Sequence, residues 1–241
     1  MKRSEHQPPA AVELLWGTSE RADRDGRERL SAARIVEAAV ELADADGLEA
    51  VSMSRVAERL GSATMALYRH VRNKDELLVL MVNAALAPPP RGAGAESGGW
   101  RPRLEQWCFD ILGVLRQHPW VLRVPITGPP ATPSQLAWLD RGLSALASTD
   151  LSEAEKAATI LVLNGHVFWG ARLFAEIDDA GGASAASADV LKTAVDTERF
   201  PALRQAVDAG IFADNSNDAD FRYGLDRILD GVERLLEERA G

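Results

Sequence analysis

The chain has 241 residues, 46% of them apolar and 26% charged, and carries a formal net charge of −9. That balance excludes a disordered polymer and supplies enough apolar material for a sizeable core. One cysteine, Cys108, excludes an intramolecular disulfide and fits a reducing cytoplasm, and no uninterrupted apolar run reaches the roughly 18 residues expected of a membrane span.

Residues 1–28 read as a flexible arm. Six cations and six anions are mixed before Leu30, and Pro8, Pro9 and Gly26 break any helix. The basic start MKRSEHQPPA has no apolar stretch behind it, which argues against a secretory leader. Leu14, Leu15 and Trp16 form an apolar island in the arm, either a docking patch or a weakly packed anchor. From Leu30 to Asp46 the spacing of Ile35, Val36, Ala39, Leu42 and Ala43 predicts a helix, with Ser31 as N-cap and Gly47 at its exit. A second helix starts at Ser52 or Ser54, turns Val56, Ala57 and Leu60 inward, and ends at Gly61. A third is expected from about Ala63 to Val71. Asn73 with Glu76 resembles a capping box and opens a fourth through Leu77, Leu78, Met81, Val82 and Leu86.

Three prolines and four glycines make 87–99 a linker. Further helices are expected over Trp100–His118, closed by Pro119, and over Ala131–Ala147, with Thr132 as cap and Pro133 in the first turn. Another is expected over Ser152–Ile177, opened by Ser152 and Glu155. A loop follows at Gly181–Ser187, then two short helices split at Pro201, then a long helix over Asp218–Arg239. No strand pattern is evident, so the expected class is all-α.

Charge is distributed unevenly. Between Ala50 and Lys74 five cations face one anion, whereas residues 87–241 carry 15 cations and 22 anions. A basic window on an acidic body is either a solvated face or an end that meets a polyanion. At roughly 100° per residue, Thr64, Met65, Tyr68, Arg69 and Arg72 cover one face of the third helix, while Ala63, Leu67 and Val71 point inward. Preceded by a short helix and a tight glycine turn, this is the layout of a helix-turn-helix, whose second helix fits the DNA major groove.

The run "LSAARIVEAAVELADADGLEAVSMSRVAERLGSATMALYRHVRNKDELLVLMV" resembles the DNA-binding domain of TetR-family transcriptional regulators. It holds the Ala45-Asp46-Gly47 turn, the Leu60-Gly61 turn and Leu67-Tyr68-Arg69-His70-Val71 followed by Asn73-Lys74-Asp75-Glu76. "HPWVLRVPITGPPATPSQLAWLDRGLSAL" and "FPALRQAVDAGIF" resemble the tetracycline-repressor-like C-terminal domain. The resemblance implies an N-terminal three-helix DNA-binding domain over 29–86 and a helical regulatory and dimerisation domain over 100–241. It implies that Ser52 and Tyr68 meet phosphate through their hydroxyls, that Lys74 grips the backbone, and that Thr64 and Met65 face base edges. Arg69 reads a guanine or binds phosphate; Arg55 reaches backbone or a base; His70 contacts phosphate or packs as a neutral imidazole. One departure is the charge-balanced "TSERADRDGRERL", where relatives tend to carry a strongly basic arm.

The same resemblance implies a homodimer on a palindromic operator, released by a small apolar effector. Trp107, Ile111, Leu115, His118, Trp120, Trp138, Asn164, His166, Phe168 and Trp169 are the candidate effector contacts. Asn164 and His166 lie in an otherwise apolar run, so they meet an effector, bond to backbone, or sit at a dimer seam. The helices near 152–177 and 218–239 are the expected dimer elements, the latter through Leu225, Ile228, Leu229, Val232, Leu235 and Leu236, a stripe of which packing within the chain must also take part. No membrane partner, cofactor or metal is expected. The sequence carries no HExxH, cysteine pair, G-x-S-x-G or phosphate-cradling glycine loop, which leaves no catalytic residue to name. Two alternatives stand beside the effector-released repressor: a regulator answering to a protein partner or to nothing, and an all-helical enzyme.

Overall fold

The computed structural model describes residues 12, 15–16, 30–87, 98–125, 128–179, 190, 192–211 and 217–240, and among these every regular element is helical. The expected linker core, the 181–187 loop and Leu14 lie outside the described residues. In chain order the helices are α1 (Ala32–Asp46), α2 (Met53–Arg59), α3 (Thr64–Leu67), α4 (Lys74–Ala85), α5 (Trp100–Gln117), α6 (Pro133–Ala145), α7 (Glu153–Asp179), α8 (Pro201–Asp208) and α9 (Asn217–Ala240). Short 3-10 turns occupy Leu48–Ala50 and Pro119–Arg123. The chain divides into two compact units, Met1–Ile160 and Leu161–Gly241, with the division inside α7.

Local chemistry sets the helix starts of the first unit. Ser31, Ser52 and Thr132 each accept a bond from the backbone N–H three residues on, which satisfies a donor that the first turn leaves unpaired. At Thr132 the Gln135 side chain reaches back to complete a capping box. Asn73 accepts from the Glu76 N–H at 2.8 Å, but the Glu76 carboxylate bonds the Arg72 N–H instead of its capping partner. Gly47 leaves α1 at φ 83° and Gly61 turns at φ 60°, both left-handed positions that favour glycine.

The expected inward residues Ile35, Val36, Ala39, Leu42 and Ala43 are all buried in α1, with Val56 and Ala57 from α2 and Leu77, Met81 and Leu86 from the α4 segment. Two expectations for α3 are corrected. The helix runs four residues and not nine, because the chain leaves helical bonding at Tyr68–His70; and Ala63 is its exposed N-cap residue, not an inward one. Leu60 is half-buried.

Side chains then tie α4 to α6. Asn83 Oδ1 accepts from the Ser134 N–H, Ser134 Oγ donates to the Asn83 carbonyl, and Trp138 Nε1 donates to the Leu86 carbonyl at 2.7 Å. Trp16, from the arm's apolar island, donates through Nε1 to the Ala131 carbonyl beside the α6 cap.

In the second unit, α7 and α9 approach closely at two glycines. A Cβ on Gly170 would lie 2.9 Å from the Phe221 ring, and one on Gly224 would lie 2.5 Å from the His166 ring. Leu225, Leu229 and Val232 of α9 are buried inside the chain, which removes half of the stripe expected to meet a second subunit; Ile228, Leu235 and Leu236 are half-buried. Large apolar side chains are instead exposed on α7: Leu161 at 73% and Trp169 at 65%, with Val162 and Leu173. Glu153–Ile177 is long and apolar enough, at mean hydropathy 1.2, to cross a bilayer, a test that core helices of water-soluble proteins also pass.

Candidate nucleic-acid interface

The site begins with two residues that are never seen by solvent. Leu67 and Val71 are fully buried, so the four-residue α3 and the turn after it are held from beneath. A helix this short has no stability of its own. Pinned in this way, its other side faces out: Met65 is 75% exposed, Tyr68 43%, and Arg69, His70 and Arg72 are exposed beside them. Thr64 is half-buried at the first position of α3, and Lys74 is exposed at the first position of α4. Hydroxyl, thioether, guanidinium and ammonium groups are therefore all presented outward along residues 65–74. Such a set can donate to phosphate oxygens and to base edges.

Two expected contacts are already engaged within the protein. Ser52 Oγ caps α2 by accepting from the Arg55 N–H and also bonds Ser54 Oγ at 3.1 Å. The Arg55 guanidinium pairs with Asp46 at 2.8 Å. Arg59 pairs with Glu41 at 2.9 Å, so α2 is held on the end of α1 by two exposed ion pairs. Each such pair contributes at most about 1 kcal/mol, but together they fix an orientation.

The candidate effector residues fall in two groups. In the first unit Trp107, Ile111, Leu115, Trp120 and Trp138 are buried, and His118 is nearly so. All three indole N–H groups are spoken for by protein acceptors: Trp107 by the Trp138 carbonyl, Trp120 by Asp44 and Trp138 by the Leu86 carbonyl. In the second unit, Trp169 is exposed, Asn164 and Phe168 are half-buried, and His166 Nε2 bonds the Phe221 carbonyl at 2.8 Å while its ring stacks on Phe221. For His166, bonding to backbone is thus the alternative realised. Sequence reasoning missed Asp44, Asn83, Ser134 and the α5–α6 ion pair Asp110–Arg141.

Cys108 is fully buried, and desolvation by that burial, helped by the Glu105 charge, pushes its thiol from 9.0 to about 12. The folded value is the higher one. The neutral thiol therefore adds stability that is intact below pH 9 and is lost as pH rises from 9 towards about 12. Iodoacetamide at pH 8 should leave Cys108 unmodified until urea unfolds the chain; rapid labelling of the native protein, read by mass spectrometry, would contradict this. Among the described residues no cluster of three His, Cys, Asp or Glu side chains is placed to hold a metal ion.

Comparison with known proteins accords with this geometry. Residues 35–81 match the model for bacterial regulatory proteins of the tetR family, and residues 93–236 match the tetracyclin repressor-like C-terminal domain. The chain is 35% identical to the HTH-type transcriptional repressor DrrR1 of Streptomyces coeruleorubidus, over 95% of this chain and 87% of that one. It is 30% identical to an HTH-type transcriptional regulator of Saccharopolyspora erythraea, over 93% and 92%. Among solved structures, the Streptomyces coelicolor TetR-family protein ActR in complex with actinorhodin superposes with a TM-score of 0.72 at 27% identity, covering 87% of this chain and 98% of ActR.

Proposed function

Since the chain belongs to the TetR family of helix-turn-helix transcriptional regulators, which are DNA-binding proteins and not enzymes, we propose that it is a cytoplasmic repressor binding a palindromic operator as a homodimer and released by a small, ring-bearing apolar molecule. The observation that carries the DNA half is the exposed Met65–Tyr68–Arg69–Lys74 surface over the buried Leu67 and Val71. In this reading residues 29–86 bind DNA, 87–99 link, and 100–241 sense and dimerise. Thr64 and Met65 meet base edges; Tyr68, Lys74 and Ser52 hold phosphates; Arg69, Arg55 and His70 flank them.

Dimerisation is supported by the unpartnered apolar face of α7. Leu161, Val162, Trp169 and Leu173 would leave water against a second copy. Effector control is supported by the buried aromatic set of the first unit and by ActR, whose structure contains actinorhodin. A small molecule that prefers one dimer geometry shifts the population away from the geometry whose recognition helices fit successive major grooves.

Selection of bound duplexes from random-sequence DNA tests the reading; a motif with two-fold symmetry is the expected result, and no retained duplex would refute it. On the selected operator, Tyr68→Ala or Lys74→Ala should weaken binding about tenfold on every sequence, Lys74→Ala also lowering the salt slope by about one. Changes at Thr64 and Met65 should alter which operator is preferred. Arg69→Ala should either lower the salt slope or relax one base position. Saturable quenching of tryptophan fluorescence by a small molecule, coupled to operator release, tests the effector half. A regulator answering only to a protein partner would show neither.

A further inference from the structure

The last two turns of α1 carry three acids that bond in different directions. Glu41 and Asp46 hold Arg59 and Arg55 of α2. Asp44 turns to the other end of the same unit: its Oδ1 meets His118 Nδ1 at 2.8 Å and Trp120 Nε1 at 2.7 Å. A carboxylate oxygen completes this bond as acceptor with the tautomer that carries hydrogen on His118 Nδ1. His118 is the residue on which α5 ends, and Trp120, buried, is the second residue of the Pro119–Arg123 turn. The Asp44 side chain is 31% exposed and that of His118 12%, so water reaches the carboxylate while the imidazole is largely covered.

A single oxygen thus takes two donors from the joint where α5 stops. Apolar contacts alone tolerate sliding, because they are non-directional. Two ring N–H groups on one oxygen do not, because hydrogen bonds weaken steeply with angle and distance. On its other side the same stretch of α1 is bonded to α2, and α2 leads through the Gly61 turn into α3. We propose that Asp44 is a positioning residue through which the DNA-facing surface and the end of α5 sense one another's state. The inference rests on the DNA-binding reading above. Linkage makes it testable without an effector, since coupling between two sites is reciprocal: DNA held at α3 must register at the α5 end.

The test is hydrogen–deuterium exchange on the full-length chain, with and without the operator duplex obtained by selection. The Val121 and Val124 amides, bonded to the His118 and Val121 carbonyls, report on the α5 end; the His70 amide, bonded to the Leu67 carbonyl, reports on the DNA face. In the wild type, duplex should slow exchange at all three, by about fivefold or more at Val121 and Val124. In Asp44→Ala the slowing should vanish at Val121 and Val124 and persist at His70. Asp44→Asn, which keeps an acceptor oxygen, should restore most of it. Trp120→Phe, which removes one donor and keeps a ring, should give an intermediate loss and stands in if Asp44→Ala does not fold. Undiminished slowing at Val121 and Val124 in the variants would overturn the proposal, as would a wild type that protects His70 and not those two amides. If the wild type shows no protection at His70 either, the reading that DNA is held at α3 has failed and takes the coupling with it.

Discussion

Leu67→Ala should cost about 3 kcal/mol of unfolding free energy, within the 2–5 kcal/mol range of buried leucine truncations, and should reduce operator binding at least about tenfold at unchanged salt. The site is fully buried, so the change removes transferred surface and leaves a cavity. It also strikes where little else holds. The N-cap residue of α3, Ala63, makes no side-chain bond, and four residues cannot sustain a helix unaided. The Leu67 carbonyl accepts from the His70 and Val71 amides, so its backbone shapes the turn that presents Tyr68 and Arg69. With the pin shortened, the outward face would be ordered only on binding, and that ordering subtracts from affinity. Leu67→Met conserves volume and should lose less than about 1.5 kcal/mol while retaining duplex. Urea titration and gel shift on the two variants decide the matter. A Leu67→Ala protein within about 1 kcal/mol of wild type would mean that α3 is held by something other than its underside.

Why α3 was legible in the sequence, and the α1–α5 joint was not, comes down to range. Caps and turns are local chemistry: a serine three residues before a free N–H, a glycine where φ is positive, an asparagine before a helical run. These signals placed Ser31, Asn73, Thr132, Gly47 and Gly61 correctly and narrowed the start of α2 to Ser52 or Ser54, of which Ser52 is the cap. The buried face of α1 and the burial of Leu67 and Val71 followed from helical spacing, whereas Ala63, expected inward, is exposed. Helix length was less secure, since α3 loses its continuation to a turn whose residues favour helix no less than those before it. Contacts between distant segments left no comparable trace. Nothing at Asp44 distinguishes it from a solvated acid until the ends of α5 and α1 are brought together. Likewise the α9 leucines satisfy a dimer stripe and an internal core equally well on spacing alone; only Gly170 and Gly224, by admitting Phe221 and His166 against the neighbouring helix, decide how much of that stripe the chain keeps for itself.

A third mid-helix glycine supports the second large effect. Gly142 lies inside α6, where alanine would ordinarily gain about 1 kcal/mol through helix propensity. A Cβ there would stand 2.8 Å from Ile160 Cδ1 and 3.0 Å from Trp107 Cε2. The indole cannot swing away freely, because Trp107 is buried and its Nε1 is bonded to the Trp138 carbonyl at 2.9 Å. Overpacking of this kind costs about 1–3 kcal/mol, so Gly142→Ala should destabilise on balance and Gly142→Val should lose about 3 kcal/mol, the β-branch adding a second clash. Gly113 of α5 is the control: nothing lies within 4 Å of its would-be Cβ, and Gly113→Ala should stabilise by about 1 kcal/mol. Ile160→Val deletes the nearer obstructing atom, so in a double-mutant cycle it should recover at least about 0.5 kcal/mol of the Gly142→Ala loss. If the pair is simply additive, the rigid indole is the obstacle. If Gly142→Ala is as stabilising as Gly113→Ala, the helices are not in close contact there. The result bears on the effector as well. A Trp107 ring clamped by Gly142 from one side and by its own hydrogen bond from another is a wall of the body, and quenching by a bound molecule should then fall on Trp138 or Trp120 before it falls on Trp107.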